Sequence, residues 1–299
     1  TTDLAAAVKG AALLVLPLPA TTQAALAPQI APHFEEGQVA FLPPGTFGGY
    51  LFARAMRAAG NRADVAFAET GTLPSLARRR GPNTVAVSGY GTRLPTGVFP
   101  EKNARAALEV ISHAYPAVEA CGDLLSGALM NAGPTIHPPL IMMNAGPLEH
   151  FEAWDIHNEG TQPSIRRTTD VLDGERVAVR EAFGYGAPHF PLGDHYDPEG
   201  EEWMYGNAAH EKLTDSGDWR EKIVLTEHRY MLEDVELGLA FLCACADYTG
   251  VDAGVARGLL AIGSAICGRD FRRTGRTLES LGLAELDRDA LARLLHEGI

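Results

Sequence analysis

Short apolar runs alternate with amphipathic stretches over the first third of the chain. The pattern predicts a helix end over TDLAAAVKG and a strand at ALLVL, residues 12–16. A helix over TTQAALAPQIAPHF follows, opened by Thr21 or Thr22. QVAFLPP reads as a second strand, GGYLFARAMRAAG as a second helix, and VAFAET, from Val65, as a third strand. Such alternation indicates an α/β fold with a doubly wound parallel sheet. NTVAVSGYGTRLPTGVFP, residues 83–100, reads as an antiparallel extension and NARAALEVISHAY as a helix covering the sheet.

From about residue 122 the strand signals disappear. SIRRTTDVLDGERVAVREAF sets Ile165, Leu172, Val179 and Phe183 on one helical stripe. LEDVELGLAFLCACADY and VARGLLAIGSAICGRDF are apolar enough for central helices, and LESLGL and DRDALARLLHEG suit short terminal ones. The pattern therefore divides the chain into an α/β part, residues 1–121, and an all-helical part, residues 122–299. Residues 186–220, rich in Gly, Pro, acids and aromatics, form a long excursion of the kind that carries binding residues. Plain solubility explains its acids Asp194, Asp197, Glu199, Glu201 and Glu202.

Charge narrows the partners. A net charge of -13 over 299 residues opposes phosphate backbones and anionic membranes, and no apolar stretch reaches the length of a span. The clusters RRR at 78–80 and FRR at 271–273 are short and read as solvated faces or helix ends. Neither nucleic acid nor membrane is expected as a partner. Four cysteines are too few for a disulfide scaffold, and the Cys243–Cys245 pair has no companion for a zinc set, so no metal is expected. A reduced, cytoplasmic protein follows. AALLVLPLPA near the start imitates a secretory leader, but Pro17 and Pro19 break the helix a leader forms, and a strand is the better reading.

Three stretches hold candidate chemistry. In TIHPPLIMMNA, Pro138 and Pro139 fit only a first helical turn, which sets His137 at or just before a helix's amino end. There the dipole favours neutral imidazole, and a carboxylate partner would oppose it and help hold one tautomer; the same stretch suits a histidine that merely caps the helix. Asn144, seven residues on, faces the same way. In HRYMLEDVELG, Arg229 could fork onto a substrate carboxylate and Asp234 could orient a histidine. A first-turn acid with Arg229 in a surface pair is the plainer alternative. The loops LPLPATT, LPPGTFGG and AETGT follow the three strands, and Gly45, Gly48 and Gly49 would allow close approach to a ligand.

Taken together, VLPLPA, LPPGTFGG, AET, NAGPTIHP running to Asn144, RYMLEDVELG and DFRRTGRTLESLGL resemble the opine dehydrogenases of the octopine and N-(1-carboxyalkyl) amino acid dehydrogenase type. The stretches keep family order to about residue 283. The resemblance implies an NAD- or NADP-dependent oxidoreductase that joins a 2-oxo acid to the amino group of an amino acid. An imine forms and receives hydride, and the reverse oxidation uses the same groups. His137 matches the family's catalytic histidine, Asp234 its paired aspartate, and Arg229 the arginine that holds the oxo-acid carboxylate. Thr46, Glu69, Thr70 and Asn144 become further substrate contacts, and Pro17, Pro19, Gly45 and Gly48 run along the cofactor. A homodimer is allowed.

One departure stands out. Relatives open with strand–G-x-G-x-x-G–helix, and this sequence holds no such turn; SGYGTRLPTG lacks the third glycine. TTDLAAAVKG aligns with the helix before the family's fourth strand, so an incomplete Rossmann-like sheet is expected, without its first strands and glycine-rich turn. The choice between NAD and NADP would lie in that part. Two rivals remain. One is a keto-acid reductase of related fold that makes a 2-hydroxy acid, and the other is a non-catalytic binding remnant.

Overall fold

Val39–Leu42 and Ala66–Thr70 expose no residue, which is the state of strands covered on both faces. They sit inside the main sheet of a computed structural model that describes residues 1–206 and 220–299. Packing divides the chain into two units. The first is Thr1–Leu73 with Leu94–Asn131 and Leu281–Ile299; the second is Pro74–Arg93 with Ala132–Ser280.

In the first unit, α1 (Leu4–Val8, capped by Asp3) precedes β1 (Leu13–Val15), α2 (Ala20–Ile30), β2 (Val39–Leu42), α3 (Gly48–Ala58) and β3 (Ala66–Thr70). β1, β2 and β3 are parallel neighbours. The hairpin β4 (Ser75–Gly81) and β5 (Thr84–Tyr90) forms a separate two-stranded sheet and belongs to the second unit. The chain then returns as β6 (Leu94–Phe99), antiparallel to β3, followed by α4 (Ala104–Ser112) and β7 (Val118–Asp123), parallel to β6. The order is thus β1-β2-β3-β6-β7.

Side chains on alternating strand positions fill two layers. Val39, Phe41, Ala66, Ala68 and Val98 meet Ala107 and Ile111 of α4 on one face. Phe67, on the other face, packs edge-on against Phe34 and lies beneath Gly49 of α3. Burial of this apolar area stabilises the unit by about 25 cal/mol per Å².

The second unit holds α6 (Gly133–Met143), α7 (Ala145–His150), β8 (Trp154–Asp155), α8 (Pro163–Phe183) and α9 (Leu192–Tyr196). β9 (Arg220–Glu221) pairs antiparallel with β8, and α10 (Tyr230–Leu239), a π-helix, runs into α11 (Ala240–Thr249). α12 (Gly254–Cys267) and α13 (Phe271–Thr274) complete the unit, while α14 (Arg288–Glu297) packs back on the first. The stripe Ile165, Leu172 and Val179 is buried as the spacing requires, and Phe183 stacks on Tyr248.

Three expectations change. The division falls at Asn131 rather than 121, because α5 (Leu124–Ala128) lies directly on the sheet: Gly97 and Gly127 have no room for a Cβ between their backbones. The second unit is not purely helical, since it takes the β4–β5 hairpin and the β8–β9 pair. α2 begins at Ala20 with Pro19 as its cap residue, so Thr21 and Thr22 stand in its first turn. Part of the 186–220 excursion is well anchored: buried Arg176 donates to His189 O, Asp173 accepts from Leu192 N–H, and Trp203 Nε1 donates to Phe190 O. Residues 207–219 of that stretch lie outside the described residues.

Candidate active site

α6 opens earlier than the sequence suggests. Thr135 and Ile136 both donate to Ala132 O, Pro134 takes the first turn, and Pro138 and Pro139 fall inside the helix. His137 is therefore one turn in rather than at the tip. The two inner prolines remove the N–H groups that Pro134 O and Thr135 O would otherwise receive.

Facing it is α10, whose wider π turn is a frequent mark of functional segments. Glycines let its neighbours come close. A Cβ at Gly238 would collide with the Pro134 ring, and one at Gly263 of α12 would press Val235. Pro134 is one turn before His137 and Gly238 one turn after Asp234, so this close crossing brings the two functional side chains together. His137 Nδ1 lies 2.7 Å from Asp234 Oδ2, across 97 positions of sequence. Gly238→Ala is expected to force the crossing apart, costing about 1–3 kcal/mol of stability. It is also expected to slow turnover roughly tenfold or more. Thermal melting and kcat measured on the same preparation check both effects.

The pair is nearly enclosed, with side chains 15% and 7% exposed. Facing a carboxylate, Nδ1 carries the hydrogen and donates it, which leaves Nε2 as the proton-exchanging atom. Burial, and then the charges of Arg229 and Arg78, hold the imidazole well below its usual range. Burial pushes the Asp234 carboxyl up to about 7, against the pull of Arg229. Around the pair stand Tyr230, His157 and His228. The rings of His137 and Tyr230 stack at 3.6 Å with planes 10° apart. Tyr230 Oη lies 2.9 Å from His157 Nε2, and the His228 ring meets the phenol edge-on at 4.5 Å.

Arg229 is 48% exposed; its guanidinium lies 5.2 Å from the Tyr230 ring centroid, is hydrogen-bonded to the Tyr230 side chain, and pairs only loosely, at 3.9 Å, with Glu233. A guanidinium so placed is available to a carboxylate. Arg78 departs from the solvated-face reading: it is 30% exposed, reaches to 3.8 Å from Glu221, and its charge bears on His137, His228 and Tyr230.

The remaining site residues expected from the sequence have other work. Asn144 is buried, donates to Leu140 O and Gly160 O, and accepts from Trp154 Nε1, so its amide is consumed in the fold. Glu69, 0% exposed, closes the amino end of α3 by accepting from Phe47 N–H at 2.7 Å and Gly49 N–H at 2.6 Å. The space beside Gly45 is filled by Glu69 and that beside Gly48 by Gln23, so these glycines admit side chains of the protein, not a ligand. Thr46 (φ 54°) accepts from Asn131 Nδ2, and Thr70 donates to Thr72 O; both are buried. Pro17 and Pro19 are exposed beyond the carboxyl end of β1. Tyr230, His157, His228 and Arg78 were missed. Tyr230 and His228 lie inside HRYMLEDVELG and Arg78 inside the RRR cluster, but none of the three was singled out there.

Cys243 and Cys245 are buried free thiols, as expected of small apolar fillers; burial pushes Cys243 up to about 12 and Cys245 higher still. Among the described residues, no helix is long and apolar enough to cross a membrane.

The chain thus holds an α/β unit, its sheet parallel except between β3 and β6, and a mainly helical unit that bears the buried His–Asp pair beside Arg229. Octopine dehydrogenase in its complex with NADH and agmatine superposes with a TM-score of 0.72 over 100% of this chain and 81% of that one, at 16% identity. Yersinopine dehydrogenase without ligand gives 0.65 over 99% and 80%, also at 16% identity. These likenesses establish the fold. In sequence, residues 120–267 match the family described as "NAD/NADP octopine/nopaline dehydrogenase, alpha-helical domain". An opine dehydrogenase from Arthrobacter sp. (strain 1C) is 29% identical over 293 residues, 96% of this chain and 79% of that protein. In sequence and in fold, the chain is similar to the opine dehydrogenases.

Proposed function

We propose that this chain performs opine dehydrogenase chemistry: NAD(P)H-dependent joining of a 2-oxo acid to the amino group of an amino acid, and the reverse oxidation. The 2.7 Å contact of His137 with Asp234, beside an available Arg229, is the observation that carries this reading. Arg229 grips the oxo-acid carboxylate. His137 Nε2 delivers the proton that lets the carbinolamine oxygen leave as water, and in oxidation it takes a proton back. Asp234 holds the tautomer that leaves Nε2 facing the reacting atoms. The nicotinamide, when bound, supplies hydride to the imine carbon.

Support for the cofactor's position is uneven along this chain. Exposed Pro17 and Pro19 fit the turn a dinucleotide follows. The amino end of α3 does not fit a phosphate, since the Glu69 carboxylate already takes its N–H groups. Gly45 and Gly48 are therefore withdrawn as cofactor contacts, and Glu69, Thr70 and Asn144 as substrate contacts. Thr46 keeps at most a supporting part. A reduced cytoplasmic setting suits the four free cysteines.

Relatives have been solved with NADH and L-arginine, NADH and pyruvate, and NADP+, which makes pyruvate and arginine the natural first substrates to try. The test is NADH and NADPH oxidation with pyruvate, with and without a panel of L-amino acids. Consumption that needs the amino acid is expected. Consumption by pyruvate alone would instead indicate a hydroxy-acid reductase. Absence of both consumption and dinucleotide binding by calorimetry would indicate a binding remnant.

A further inference from the structure

Tyr230 has no assigned part in the chemistry, yet it touches the groups proposed to perform it. Its ring lies flat on the His137 imidazole, with centroids 3.6 Å apart and planes 10° from parallel. Arg229, its chain neighbour, sets its guanidinium over the same ring at 5.2 Å. The hydroxyl is held at 2.9 Å from His157 Nε2, and the His228 ring abuts the phenol edge-on. The side chain is buried, at 2% exposure, at the start of the π turn that carries Asp234.

One hydrogen bond cannot fix a ring. The Nδ1–Asp234 contact sets the direction of one His137 nitrogen but leaves the imidazole free to rock about that axis, which swings Nε2. A flat aromatic face removes this freedom, and stacking also favours the imidazolium when the proton is held. The same ring limits the sweep of Arg229. We propose that Tyr230 is the positioning residue of the site: its ring fixes the plane of His137 and the separation of the proton-transfer atom from the carboxylate-binding guanidinium, and His157 pins that ring through the hydroxyl. The proposal rests on His137 being the acid–base group.

Three single variants of the full chain separate the possibilities: Tyr230→Phe, which keeps the face; Tyr230→Leu, which removes it; and His137→Ala as the reference. Two readouts are taken. One is kcat and KM in the amino-acid-dependent reaction. The other is the downfield proton resonance of the His137 Nδ1–H, which persists only while the imidazole is held on Asp234. Tyr230→Phe is expected to keep the resonance and to hold kcat within about threefold, whereas Tyr230→Leu should broaden or lose it and lower kcat at least about thirtyfold with the KM for NAD(P)H unchanged. A folded Tyr230→Leu protein with wild-type kcat and a sharp resonance would overturn the proposal. Where Tyr230→Leu gives no cooperative melt, Tyr230→Phe decides, because loss of the resonance there makes the hydroxyl rather than the ring the agent. Full turnover in His137→Ala would instead remove the underlying reading, whatever Tyr230 does.

Discussion

Replacing His137 with alanine is expected to lower kcat by roughly a thousandfold, about 4 kcal/mol of transition-state stabilisation, while the melting temperature stays within a few degrees of wild type. The size follows from the role: the imidazole is the group proposed to move the proton, and positioned acid–base groups contribute roughly a hundred- to ten-thousandfold. The mild effect on folding follows from the environment. The Asp234 carboxyl, already pushed up to about 7, can hold its own proton when its partner is gone, so no bare charge stays buried. Asp234→Asn should cost nearly as much as His137→Ala, because the amide offers its oxygen or its NH₂ and no longer selects one tautomer. The double variant should be little worse than either, since the two act as a unit. Steady-state kinetics on all three proteins, with melting curves beside them, checks the set.

Arg229→Ala is expected to raise the KM for the oxo acid by roughly thirty- to a hundredfold, with a smaller loss in kcat. The guanidinium is half exposed and bound only loosely to Glu233, so little of the fold depends on it. Lysine at this position should recover part of the loss, as a point charge lacks the planar fork. The same change should alter the titration of the pair. Arg229 lowers both His137 and Asp234, so its removal lets both hold protons to higher pH. Should KM rise for the amino acid alone, Arg229 grips the other substrate.

Val39–Leu42, apolar from end to end, was legible in the sequence as a doubly covered strand, and so was the apolar start of Ala66–Thr70, although that strand ends in Glu69 and Thr70. Candidate His137 and Asp234 were legible as residue types, and the resemblance to opine dehydrogenases set them side by side. Their contact was not derivable from spacing alone. It depends on a crossing in which Gly238 admits the Pro134 ring, and on a π turn, neither of which leaves a periodic trace. The loop glycines pose a related problem. Gly45 and Gly48 do mark close approach, but the approaching groups are Glu69 and Gln23, and a sequence does not show which side chain fills a gap. An amide with three partners within the fold, as Asn144 has, looks no different in sequence from one aimed at substrate.

The pH dependence of kcat in the oxidative direction tests the pair most directly. Oxidation needs the pair unprotonated, and its carboxyl is pushed up to about 7, so kcat should rise as pH increases through that value. In the reductive direction it should fall over the same range, and both limbs should vanish in His137→Ala. Unchanged limbs in that variant, at an unchanged rate, would contradict proton transfer by this pair.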